Sequence, residues 1–114
     1  MMTIEGLKSF GADVESGLGR CMNNEAFYLR LVEKSLSDPS YDRLKDAIAA
    51  NDLDAAFEAA HALKGVAGNL SITPVFDAVS EITELLRART QTDYAPILQT
   101  ILEKRDALKQ MCEG

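Results

Sequence analysis

A single histidine, His61, lies in the run AAFEAAHALKGVAGNLS at 55–71, with Lys64 three residues on and Gly65 and Gly68 just beyond. A neutral imidazole is a good nucleophile near pH 7. A lysine one helical turn away is a point charge suited to phosphoryl oxygens. A zinc site needs further ligands, and the chain has no second histidine and only two cysteines, Cys21 and Cys112, neither expected nearby. A hydrolase triad needs a serine paired with the histidine inside a pocket, which an outward helix face does not supply. A nucleophile and a phosphate-binding cation on a clear surface point to a phosphoryl acceptor served by a macromolecular donor.

The helix carrying these residues is expected over about 53–70. Leu53, Ala56, Ala60, Leu63, Ala67 and Leu70 recur at spacings of three and four and form a buried seam. At 100° per residue His61 lies roughly 140° from the centre of that seam, pointing to solvent. Phe57 and Lys64 are its neighbours at i−4 and i+3, and Glu58 and Gly65 flank the other edge. Each glycine inside a helix costs about 1 kcal/mol relative to alanine, so the pair costs roughly 2 kcal/mol. Gly68 stands near the helix end, but Gly65 is well inside it. On a solvent-facing strip, missing side chains favour close approach by another surface.

The remaining segments must present this helix. Residues 3–20 contain Gly6, Gly11, Gly17 and Gly19, so helices there should be short. A helix is expected over about 24–37, with Phe27, Leu31 and Lys34 on one face and Tyr28, Leu29, Val32 and Leu36 widening it. Pro39 should kink that helix or begin another, in which Leu44, Ala47 and Ile48 share a face. Asp52 is the expected N-cap of the histidine helix. Thr73 followed by Pro74 reads as cap and first-turn proline of the next, whose face is Val75, Val79, Ile82 and Leu86, with Phe76 and Leu85 beside them. The last helix repeats Ile97, Leu98, Ile101, Leu102, Leu108 and Met111. No strand alternation is sustained anywhere. Short joints imply antiparallel neighbours, hence an all-α chain: a four-helix bundle over 23–113 with an N-terminal accessory segment over 1–22.

A length of 114 residues suits one domain with a modest core. The formal net charge of −6 argues against a broad grip on nucleic acid or an anionic membrane. Two cysteines make no disulfide framework and are expected to be reduced thiols. No apolar run reaches the ~18 residues of a membrane span, and the N-terminus lacks a signal-peptide pattern, so a cytoplasmic chain is expected.

The stretch HALKGVAGNLS resembles the H-x-L-K-G-x-x-x-N-L-G signature of histidine-containing phosphotransfer (HPt) domains. His61, Leu63, Lys64, Gly65, Asn69 and Leu70 match, Gly68 agrees with a common small residue, and Ser71 stands where the family more usually has glycine. The segment ADVESGLGRCMNNEAFYLRLVEKSLSD looks like the family's N-terminal half, and the helix breaks agree along the chain. The resemblance implies that a receiver domain phosphorylated on aspartate docks on the strip around His61, with Phe57, Glu58, Gly65 and Gly68 at the contact. The imidazole, through Nε2, takes the phosphoryl group and passes it to a second receiver. Lys64 would neutralise phosphoryl charge, and Asn69 would shape the helix end. The implied partners are response-regulator receivers and a hybrid sensor histidine kinase. Any Mg²⁺ belongs to the receiver, this chain needs no cofactor, and no ATP-dependent kinase activity is implied.

Two other readings differ at named residues. The dimerisation-and-phosphoacceptor domain of a sensor kinase usually has an acidic residue directly after its histidine and a proline soon after. Here Ala62 follows His61, and the next proline is Pro74. A helical adaptor without phosphoryl chemistry fits the composition equally, but gives no reason for an outward His61 beside Lys64 and Gly65. A single bundle can close its own core, so a monomer is expected. The initial Met and the near-complete domain favour a free-standing chain.

Overall fold

The computed structural model describes residues 1–113, and their regular structure is entirely helical. In chain order the helices are α1 (Ile4–Phe10), α2 (Val14–Arg20), α3 (Glu25–Ser35), α4 (Ser40–Ala49), α5 (Leu53–Asn69), α6 (Thr73–Arg87) and α7 (Ala95–Glu113). Side-chain caps set several of the starts. Asn24 Oδ1 accepts the Phe27 amide at 3.1 Å, and Asp52 Oδ1 accepts the Ala55 amide at 3.1 Å. Such caps satisfy amides that have no partner within the helix.

Packing runs in a ring: α4 on α5, α5 on α6, α6 on α7, and α7 back to α4. Pro39 begins α4 rather than kinking a longer helix, and the Ser40 amide turns back to Asp38 Oδ1 at 2.8 Å. One groove is shared by Leu31 and Lys34 of α3 with Val66 and Asn69 of α5. Helices α3 and α4 therefore make one broken corner running antiparallel to α5. Leu44, Ala60, Val79, Ile82, Ile101 and Leu108 fill the centre and are shielded from solvent. Arg105 of α7 covers the Tyr41 ring of α4, its guanidinium carbon 5.1 Å from the ring centre.

The short N-terminal helices close the end of the bundle at the α5–α6 turn. Gly11 ends α1 at φ +108°. The Asp13 amide donates to the Ser71 carbonyl at 2.9 Å, and the Ser71 hydroxyl donates to Ser16 Oγ at 3.2 Å. Arg20 donates to the Gly68 carbonyl near the C-terminal end of α5, where the helix dipole favours a cation. Ser71 itself sits at φ +55°, in the left-handed region that glycine adopts without steric cost. The Ser71 hydroxyl thus helps to tie the turn to α2.

Two expectations are corrected. The apolar face of α3 is centred on Tyr28, Val32 and Leu36, which are buried, whereas Lys34 is exposed and Phe27 is 42% exposed. The cause is Tyr28. Its hydroxyl donates to the buried Leu70 carbonyl at 2.7 Å, and its ring lies where a Cβ on Gly17 would approach to 2.5 Å. Anchoring that ring turns the helix about one residue, roughly 100°, from the face that periodicity alone suggests. Tyr28→Phe should therefore lower stability by about 1–2 kcal/mol, read from a urea midpoint at unchanged m-value. The second correction is Thr73, which is the first residue of α6 and makes no side-chain cap. Its hydroxyl instead points to the Ser71 carbonyl at 3.4 Å, while Pro74 occupies the first turn as expected.

Candidate functional site

Helix α5 is the longest element of the α4–α6 core and is strongly one-sided. Ala56, Ala59, Ala60, Leu63 and Ala67 are buried, and small alanines let α4 and α6 pack close on either flank. His61 is exposed on the outward side, as its angular position requires. Among the described residues no hydrogen bond holds the imidazole. Its ring stacks on Phe57, with centroids 5.8 Å apart and planes 14° from parallel. The nitrogens, at the edge of an exposed ring, are left available to a reactant.

The α5–α6 hairpin folds the C-terminal part of α6 back beside this strip. Lys64 Nζ lies 3.9 Å from Glu84 Oε1, and Arg87 Nε lies 3.2 Å from Glu84 Oε2. The Arg87 guanidinium carbon is also 5.0 Å from the centre of the Phe57 ring, within cation–π range. One carboxylate is therefore shared by two cations beside the Phe57–His61 stack. The side chains of Lys64, Glu84 and Arg87 are 32%, 58% and 54% exposed, so each pair contributes only about 0–1 kcal/mol. Such cations are held in place cheaply and can be released to a stronger anion.

The glycines differ. A Cβ built on Gly65 meets nothing within 4 Å, so no internal packing requires a glycine there. A Cβ on Gly68 would stand 3.1 Å from Phe76 Cε1. The space at Gly68 is taken up by α6, which accounts for this glycine through helix packing. Asn69 is exposed and is the last residue of α5, beside the α3 groove. Glu58 is exposed and lines two shallow grooves, one shared with Ser40 and Arg43 of α4, the other with Asp54, Phe57 and Arg87. His61, Phe57, Lys64 and Gly65 thus lie on one continuous face, with Glu58 at its edge. Gly68 and Asn69 belong to the end of the helix.

Glu84 and Arg87 are candidate site residues that reading α5 alone misses. A signal for them exists in the sequence. If α5 and α6 pair antiparallel about the 70–72 turn, residues in the mid-80s return beside Phe57, and Glu84 and Arg87 are charged positions three apart on the outer side of α6. No group of three or more His, Cys, Asp or Glu side chains among the described residues could hold a metal ion. Cys21 and Cys112 are unpaired thiols, the first buried and the second half-buried.

Comparison with protein-family models matches residues 34–114 to the Hpt domain. The matched span begins within α3, so α1, α2 and most of α3 lie outside it. Neither the curated proteins nor the solved structures gave a match to the chain.

Proposed function

Because the chain belongs to the Hpt domain family, we propose that it is a phosphorelay intermediate that accepts a phosphoryl group on His61 from a phospho-aspartyl receiver and passes it to a second receiver. Domains of this family act in phosphotransfer in two-component signalling, as carriers rather than kinases. The observation that carries the finer reading is the exposed, ring-stacked His61 on the same face as Lys64 and the open position at Gly65.

In the forward step the Nε2 lone pair of the neutral imidazole attacks phosphorus. The bond from phosphorus to the donor's aspartyl oxygen breaks, and the carboxylate leaves with the electron pair. The new bond is nitrogen to phosphorus, and the ring keeps the proton on Nδ1 until solvent removes it. Lys64, one helical turn from His61, and Arg87, over the Phe57 ring, would take phosphoryl oxygens by charge-assisted hydrogen bonds. Mg²⁺ is supplied by the receiver, and the chain contributes no cofactor of its own. The chemistry requires receiver domains as donor and acceptor, and the partners we propose to carry them are a hybrid sensor kinase and response regulators. Among the described residues no helix is long and apolar enough to cross a membrane; the place of reaction we propose is the cytoplasm. One copy carries every residue named, so the reading needs no dimer.

The test is incubation with phosphorylated receiver domains, followed by mapping of the label. Acid-labile, base-stable label on the peptide containing His61 is the expected result. Label on any other residue, or none with a panel of competent receivers, would falsify the assignment.

A further inference from the structure

The two cations beside the acceptor are already occupied. Glu84 divides its oxygens between them, Oε1 towards Lys64 at 3.9 Å and Oε2 towards Arg87 at 3.2 Å. Lys64 is one turn from His61 on α5, and Arg87 covers the Phe57 ring that stacks on the imidazole. A group joined to the exposed His61 therefore enters a neighbourhood whose positive charge is partly neutralised by a carboxylate of the same chain. Glu84 makes no other ion pair among the described residues, and it belongs to an exposed part of α6.

We propose that Glu84 is a built-in competitor for the phosphoryl group, an inference that rests on His61 being the acceptor. At rest it holds Lys64 and Arg87 together and keeps their side chains oriented. When His61 is phosphorylated, the phosphoryl oxygens take those cations and the carboxylate turns out to solvent. A phosphoryl group brings roughly two negative charges. A carboxylate that stayed between the cations would therefore leave more negative charge than they can balance. Both pairs are solvent-exposed, so their release costs little. The consequence is energetic. Glu84 raises the free energy of the phosphohistidine relative to the free imidazole, and so favours onward transfer over retention. It is a positioning residue that tunes how readily the group leaves.

The probe is potassium phosphoramidate, a small donor that needs no receiver. Its nitrogen–phosphorus bond breaks with ammonia as the leaving group, while the bond from His61 Nε2 to phosphorus forms. At fixed phosphoramidate and ammonia concentrations, the ratio of phosphorylated to free protein at equilibrium, read by intact mass, is proportional to the equilibrium constant for transfer. Glu84→Gln should raise that ratio roughly threefold to fivefold at low salt, the size expected of exposed charge pairs. The gain should shrink at molar salt, where screening removes the competition. Glu81→Gln, the same charge change at an exposed position one turn earlier on α6, should leave the ratio unchanged, and thermal midpoints of both variants should stay near wild type. An unchanged ratio in Glu84→Gln, or an equal rise in Glu81→Gln, overturns the competitor role while leaving His61 as acceptor. Wild type that takes no label, or labelling that survives in His61→Gln, defeats the reading of the acceptor itself, and with it this inference.

Discussion

His61→Gln is expected to fold as the wild type does and to accept no phosphoryl group from any receiver. The two halves of that expectation come from different parts of the structure. Folding survives because His61 is exposed, no intramolecular hydrogen bond among the described residues holds its ring, and its main contact is the stack on Phe57. Glutamine has a slightly higher helix propensity than histidine, which offsets part of the lost stacking. The net change should be within about 0.5 kcal/mol, as for most surface substitutions. Transfer is lost because a carboxamide nitrogen gives its lone pair to the carbonyl and cannot attack phosphorus. Lys64, Arg87 and the docking face all remain, so the variant should still bind a receiver. The checking measurements are a thermal melt, receiver binding by titration calorimetry, and label transfer. A variant that binds and still becomes labelled would place the acceptor elsewhere.

The face around His61 could be read from α5 alone because one helix carries most of it. Helical periodicity fixes where His61, Lys64 and Gly65 point once the alanine–leucine seam is seen, whatever packs against that seam. Residues placed by tertiary contacts were less accessible. The orientation of α3 is decided by Tyr28 reaching the Leu70 carbonyl, and nothing in the spacing of Phe27, Leu31 and Lys34 announces that bond. Gly68 shares its local signature with Gly65, yet only the position of Phe76 on the neighbouring helix shows that packing accounts for it. Glu84 and Arg87 are ordinary surface charges in α6 until the hairpin brings them beside Phe57 and Lys64. The Thr-Pro pair signals a helix start truthfully, but the hydroxyl is drawn back to the Ser71 carbonyl because the turn before it is left-handed. Local pattern thus specifies elements and their faces, and long-range contacts choose among the details.

Gly65→Leu separates docking from chemistry and should give the sharper contrast of the two variants. A Cβ at Gly65 meets no atom within 4 Å, so a larger side chain projects into solvent without disturbing the bundle. Leucine is favoured over glycine inside a helix by about 1 kcal/mol, so stability should rise by up to that amount. The same side chain stands one turn from His61, on the face where a receiver must bring its aspartyl phosphate to the imidazole. Misplacing reacting groups by about 1 Å can cost on the order of a hundredfold in rate, and a leucine side chain is several times that long. Transfer from a phosphorylated receiver should therefore fall by at least about a hundredfold. Phosphoramidate is small enough to pass the leucine, so labelling of His61 by that donor should stay within about twofold of wild type, as expected where the acceptor and its cations are unchanged. Loss of both reactions would mean that leucine has disturbed the imidazole itself. Retention of both would mean that the receiver does not approach over Gly65, and the helix would then carry that glycine at a cost of about 1 kcal/mol for no reason visible in this fold.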